Sequence, residues 1–226
     1  VQTLMNVYGV MPGKRVLMVG AGNIGLIVSY QMKQAGVDIA GIVEFMPHVG
    51  GYWVHAAKDR RLGIPIYLRH TILEALGDRF VTGAVIQEVG AKGGLVGEPK
   101  KFDCDVICMA VGLTPTCELL WQAGCEMTFV PELCGYVAKR DNQMRTSIPT
   151  IWVAGDAAGI EEASSAMVEG RVAGLNAARS TGHLTDTEFD ARSSLYWKRL
   201  SDLRAGPVGE KIRYGISQAC CGSWEV

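Results

Sequence analysis

The sequence has 226 residues, a formal net charge of −1 and 48% hydrophobic side chains, enough for one or two buried cores and too apolar for a disordered chain. Mixed charge leaves no basic footprint for nucleic acid, and the longest apolar run, Val16 to Val28, is broken by three glycines and Asn23, short of the ~18 residues of a membrane span. Seven cysteines, an odd number with five scattered through the body, argue against a disulfide framework and for a reducing cytoplasm.

In chain order, Leu4-Met5-Asn6-Val7-Tyr8 reads as the end of an element already under way, so residues 1–12 are expected to be a linker. Val16 to Val19 is a short apolar run ending in glycine, the pattern of a buried parallel strand. Ile24 to Ala35 follows as a helix with apolar residues at 24, 27, 28 and 32, and Gly36 ends it. Ile39 to Val43 is a second strand closing on Glu44, which completes a β-α-β unit. Tyr52 to Leu62 reads as helix, Ile64 to Tyr67 as an edge strand because of Pro65, and Phe80 to Val89 as strand. Ala91 to Gly97 is turn-rich, and Val106 to Ala110 is another buried strand. Val111 to Pro115 is a hinge between regions of different pattern. Beyond it come a short helix around Leu119-Leu120, a strand at Tyr136 to Ala138, and an apolar strand at Ile151 to Ala154 ending in Gly155-Asp156. Ala163 to Ala178 reads as a helix lined with small residues at 163, 166, 170, 173, 174 and 177. Thr185-Asp186-Thr187-Glu188 is a capping box opening a helix with Phe189, Tyr196, Leu200 and Leu203 on one stripe, which Gly206-Pro207 stops.

Gly20-Ala21-Gly22-Asn23-Ile24-Gly25 matches G-x-G-x-x-G and sits between a strand and a helix inside the β-α-β unit. Gly20 permits the tight turn, Gly22 lets the backbone approach a pyrophosphate, and Gly25 lets the helix pack closely on the strands. Free N–H groups at the helix start, with the helix dipole, attract the phosphates. Glu44 lies about 20 residues further on, where a carboxylate accepts hydrogen bonds from adenosine ribose hydroxyls and repels the 2′-phosphate of NADP. Phe45-Met46-Pro47 supply no arginine to hold that phosphate, so NAD is favoured over NADP.

Thr146 to Asp156 (TSIPTIWVAGD) resembles the second flavin-binding motif of the pyridine nucleotide-disulfide oxidoreductase superfamily, flavoproteins with two dinucleotide-binding domains and a glutathione-reductase-like fold. Lys101 to Pro115 resembles the segment that returns the chain from the NAD domain to the FAD domain, and the helix from Ala163 resembles the one after the flavin aspartate. The small residues and the tail look most like the FAD-dependent amine, opine and cyanide-forming dehydrogenase branch. The resemblance covers about residues 1–205. It implies an α/β fold: a Rossmann-like three-layer NAD(P)-binding domain over residues 13–112, the C-terminal part of an FAD domain over 113–182, and a helical tail over 183–226. It implies Gly112 in close approach near the nicotinamide and Gly155 and Asp156 at the FAD. Read from the residues alone, Asp156 is equally a plain helix N-cap.

Family members carry an earlier G-x-G-x-x-G for the FAD adenosine, and this sequence holds no such motif before Val16. The expectation is a piece lacking that half, part of an FAD-dependent oxidoreductase moving hydride between NAD(H) and flavin, and inactive alone. A small organic substrate or a partner electron-transfer subunit would complete the reaction, with an oligomer compatible. The rival expectation is a nucleotide-binding module or a subunit of a larger dehydrogenase complex without its own turnover. No Cys-x-x-Cys supports disulfide chemistry, and Cys104 and Cys108 read as small core residues. The tail pair Cys220-Cys221 offers two thiolates where an iron–sulfur cluster needs four. His48, His55, His70 and His183 are isolated, so no metal is expected; Trp53 reads as packing, and Lys58-Asp59-Arg60-Arg61 as a solvated helix end.

Overall fold

A computed structural model describes residues 1–221, with Val208 described by its backbone only. The chain divides into two units, Val1–Val111 and Gly112–Val226.

The first unit begins with a short helix, α1 (Gln2–Asn6), and then β1 (Arg15–Val19), α2 (Asn23–Gln34), β2 (Asp38–Glu44), α3 (Trp53–Arg61) and β3 (Ile66–Leu68). A three-stranded antiparallel meander, β4 (His70–Leu76), β5 (Gly83–Val89) and β6 (Leu95–Asp103), leads back to β7 (Val106–Met109). The parallel sheet has the order β3-β2-β1-β7. Alternate side chains leave opposite faces of a strand, and the layers follow from this. Val16, Met18 and Ile42 pack with Leu26, Val28 and Met32 of α2 and Ala56 of α3. Leu17 and Val43 point the other way, onto Ala84 and Ile86 of the meander and Cys104. The result is three layers: helices, parallel sheet, meander.

The second unit carries α4 (Glu118–Gln122), the hairpin β8 (Met127–Val130) and β9 (Gly135–Ala138), and α5 (Ala163–Ser180), α6 (Asp186–Leu203) and α7 (Gly206–Ala219). Ile216 and Ala219 of α7 pack on Val130, Leu133 and Val137. Val168 and Val172 of α5 pack on Leu200 of α6 and on Met144. The capping box forms as read: Thr185 Oγ1 accepts the Glu188 N–H at 3.3 Å, and the Glu188 carboxylate accepts the Thr185 N–H at 3.1 Å. Among the described residues no helix is long and apolar enough to cross a membrane.

Several local expectations are corrected. The buried face of α2 is Gly25, Leu26, Val28, Ser29 and Met32, while Ile24 and Ile27 are exposed. A glycine and a serine occupy two of the buried i, i+3, i+4, i+7 positions, which hides the stripe from an apolar count. Ile151 to Ala154 is not a strand: it makes one antiparallel bridge, Arg145 to Trp152, and no second strand extends the ladder among the described residues. The sequence pattern assigns no strand at β4, and β6 begins inside the stretch read as a turn. Gly206-Pro207 not only ends the tail helix but opens α7, because a proline is tolerated in the first turn where its missing N–H would have no partner. The helix read at Ala163 to Ala178 forms as α5, with Ser165, Val168, Glu169, Val172 and Asn176 buried.

Candidate dinucleotide and flavin sites

β1 delivers the chain to the glycine loop at the carboxyl edge of the parallel sheet, where ligands bind in open α/β folds. Gly20 lies at φ 107, in the left-handed region, and a Cβ there would meet the Ala110 carbonyl oxygen at 2.1 Å. A Cβ on Gly25 would meet the Gly20 carbonyl oxygen at 2.0 Å. These two glycines are therefore demanded by packing. At Gly22 nothing lies within 4 Å of an added Cβ. The backbone there faces open space, as a loop that cradles a ligand must.

Gly22 is the N-cap of α2 and supplies no side-chain cap. The first N–H groups of the 12-residue helix at Asn23 and Ile24 are thus left to the dipole end, a ready anion site. Ala21 is fully buried and its carbonyl accepts the Gly51 N–H at 2.9 Å. The Asn23 Oδ1 accepts the Tyr52 N–H at 2.8 Å. The loop Gly50-Gly51-Tyr52 thereby lies on the glycine loop, and a Cβ on Gly51 would sit 2.7 Å from the Asn23 nitrogen. This second glycine pair escaped the sequence reading, although two adjacent glycines between a strand and a helix were its signal.

Glu44 ends β2, half-buried. Its Oε2 accepts the Ala21 N–H at 2.7 Å, and its Oε1 accepts the Met46 N–H at 2.8 Å. The carboxylate is thus fixed against the glycine loop, with further lone pairs left for a ligand hydroxyl. The structure brings Gly20, Ala21, Gly22, Asn23, Gly25 and Glu44 together; the Ile24 side chain is exposed at the helix start. Gly112 adopts φ 151 with nothing near an added Cβ.

In the second unit, Gly155 and Asp156 lie in a short 3₁₀ turn, Gly155–Ala158. Gly155 is left-handed at φ 68, and an added Cβ would meet Ala166 of α5 at 3.1 Å. Asp156 is exposed and caps no helix: α5 starts at Ala163 with Glu162 as its N-cap. The Gly155 N–H donates to Glu169 Oε2 at 2.8 Å. Glu169 Oε1 accepts from Arg140 at 2.8 Å and from Arg204 at 2.6 Å, all three side chains being buried. Arg204 also pairs with Glu161 at 2.7 Å. Burial alone would raise the Glu169 pKa, but the Arg140 and Arg204 guanidinium groups more than offset it and hold the carboxyl at about 2. This ion network was missed; its signal was a glutamate on the buried stripe of α5.

A further carboxylate, Asp59 in the first unit, departs from its expected place. It is fully buried in α3, and neither oxygen has a partner among the described residues. Burial raises its pKa to about 7, with Lys58 opposing. All seven cysteines are free, and burial pushes the Cys104 and Cys108 thiols up, the opposite of an activated thiolate.

The family described as pyridine nucleotide-disulphide oxidoreductase matches residues 3–170. The chain belongs to that family. Among its relatives, a dihydrolipoyl dehydrogenase of Pseudomonas aeruginosa is 33% identical over 154 residues, 65% of this chain and 30% of its own length. One of the subunits of an opine oxidase from Rhizobium meliloti is 25% identical, over 84% of this chain and 38% of its own. The chain thus spans well under half the length of these relatives. The crystal structure of T. acidophilum thioredoxin reductase aligns with a TM-score of 0.64 and 26% identity, over 74% of this chain and 53% of that one. Membership in this family supports flavin and pyridine nucleotide, in general, as its cofactor classes.

Proposed function

We propose that the chain is the nicotinamide-dinucleotide-binding part of an FAD-dependent oxidoreductase that moves hydride between NAD(H) and flavin. The observation that carries this reading is the division of labour at the glycine loop: Gly20 and Gly25 are packed to contact, Gly22 faces open space, and Glu44 stands 2.7 Å from the Ala21 nitrogen at the same edge. The residues present fit a dinucleotide. The amides of Gly22, Asn23 and Ile24 would hold the pyrophosphate, Glu44 would accept from the adenosine ribose hydroxyls and so favour NAD over NADP, and Gly112 would leave room beside the nicotinamide. Gly155 and Asp156 would serve a flavin ribityl hydroxyl, with the turn held by Glu169. When bound, the nicotinamide supplies hydride and the flavin accepts it; the chain's own residues bind, orient and exclude water.

The reading extends to a cytoplasmic setting, supported by seven free thiols. A small organic molecule or a partner electron-transfer protein would exchange electrons with the flavin. The relative named as a subunit of opine oxidase favours the second, and with it a chain that depends on other subunits for turnover. The test is a titration of the chain with NADH, following nicotinamide fluorescence, and with FAD, following flavin fluorescence. NADH is expected to bind and to be displaced competitively by NAD, and FAD to bind weakly. A chain that ignores NADH, NAD and ADP-ribose alike would refute the proposal.

A further inference from the structure

The charge at the adenosine end of the crevice is not set by Glu44 alone. β3 lies parallel beside β2 with Glu44 opposite Leu68, so the residue after Leu68 emerges at the same edge of the sheet. That residue is Arg69. Its N–H donates to the Met46 carbonyl at 3.1 Å, and the Met46 N–H in turn donates to Glu44 Oε1 at 2.8 Å. Two hydrogen bonds through the Met46 backbone therefore link Arg69 to the acid. Arg69 adopts φ 54, a left-handed conformation that few residues other than glycine occupy, and it turns the chain out of β3 into β4. Its side chain is exposed and makes no ion pair among the described residues. Meanwhile each Glu44 carboxylate oxygen already accepts from a backbone amide, which fixes the acid in place. An unpaired guanidinium is a planar fork matched to phosphate oxygens.

We propose that Arg69 is a specificity-determining residue that pairs with a phosphate on the adenosine 2′ position, so that NADP(H) binds this site more weakly than NAD(H) rather than being excluded. The proposal rests on the dinucleotide reading above. An arginine following β2 would have been visible in the sequence; this one arrives from the neighbouring strand and only the register places it there.

The test is calorimetric titration of the 226-residue chain with ADP-ribose and with 2′-phospho-ADP-ribose. Arg69→Asn is the main variant, because asparagine tolerates the left-handed backbone, and Arg69→Lys keeps the charge without the fork. The wild-type chain is expected to bind both ligands, ADP-ribose the tighter. Arg69→Asn should lose about tenfold or more in affinity for the 2′-phosphate ligand, the scale of one charge-assisted contact, and little for ADP-ribose. Arg69→Lys should recover part of that loss. Glu44→Gln should strengthen the 2′-phosphate ligand, and Glu44→Gln with Arg69→Asn should lose that gain. Salt screens an Arg69–phosphate attraction, so affinity for the phosphorylated ligand should fall more steeply with ionic strength in the wild-type chain than in Arg69→Asn. Equal losses for both ligands, or no binding of 2′-phospho-ADP-ribose while ADP-ribose binds, would overturn the role of Arg69 and leave the dinucleotide reading standing. Failure of the wild-type chain to bind either ligand would overturn both.

Discussion

Gly20, Gly22 and Gly25 form one motif in the sequence and two kinds of glycine in the structure, and replacing each by alanine should separate them. At Gly20 a Cβ would stand 2.1 Å from the Ala110 carbonyl oxygen, at a φ of 107. Both effects oppose alanine: overpacking against backbone costs roughly 1–3 kcal/mol, and the left-handed conformation adds about 1 kcal/mol more. Gly25→Ala meets the Gly20 carbonyl oxygen at 2.0 Å, so it carries a similar packing cost inside α2. Gly20→Ala should therefore cost ~2–4 kcal/mol and Gly25→Ala ~1–3 kcal/mol, which lowers the melting temperature by roughly 5–20 °C in a unit of this size. Gly22 has φ −72 and open space where the methyl would go, so Gly22→Ala should leave stability within about 0.5 kcal/mol. On the proposed reading its methyl would stand in the approach path of the pyrophosphate, and NADH affinity should fall by about tenfold or more, the ~1.4 kcal/mol of one lost close contact. Thermal unfolding by circular dichroism and NADH fluorescence titration on the same three variants give both numbers. If Gly22→Ala binds NADH like wild type, or melts as low as Gly20→Ala, the assignment of roles is wrong.

Asp59 offers a pH test. Its folded pKa is raised to about 7 from 3.8, so the folded state keeps a proton that the unfolded state has lost; this group therefore makes stability fall as pH rises from about 4 to about 7, and Asp59→Leu should flatten that decline and raise the melting temperature at pH 8. An unchanged pH profile in the variant would show that Asp59 is hydrated rather than sealed. Glu169 works in the other direction: its folded pKa of about 2 lies below 4.5, so its contribution is present above about pH 4.5 and drains away as pH falls toward 2. Glu169→Gln leaves Arg140 and Arg204 buried without their shared acid and should cost about 3–5 kcal/mol, read as a loss in urea midpoint at pH 7. Thr185→Ala removes the capping-box hydroxyl at the start of α6 and should cost roughly 0.5–2 kcal/mol, seen in the same denaturation curve.

The β1-α2-β2 unit was legible because its strands are almost wholly buried, and such burial writes an unbroken apolar run bounded by glycines. The buried stripe of α2 was not, because close packing of Gly25 on the Gly20 carbonyl and burial of Ser29 replace apolar side chains with small ones. β4 and β6 hid for a different reason: nearly every side chain of β6 is exposed, so Leu95 to Asp103 carries charges, a glycine and Pro99 where a buried strand would carry valines. α7 hid behind Gly206-Pro207, since the same pair both terminates one helix and starts another. At the site, the glycine loop and Glu44 could be nominated because a G-x-G-x-x-G followed about 20 residues on by an acid is a pattern written in the sequence itself. Arg69, Gly51 and Glu169 belong to no such pattern, and each meets its partner only through strand register or helix packing. Asp59 sat in a run of basic residues that looks solvated, yet it is fully buried in α3.

Whether the bare backbone after β1 grips a dinucleotide's phosphates while the carboxylate ending β2 takes its sugar can be read residue by residue. A ¹⁵N–¹H correlation spectrum of the chain titrated with NADH is the direct measurement. The amides of Gly22, Asn23, Ile24 and Met46 should shift together and saturate at one ligand per chain, with Ala21 following as Glu44 engages the ribose. Saturable binding that moves other amides and leaves these five in place would contradict that picture.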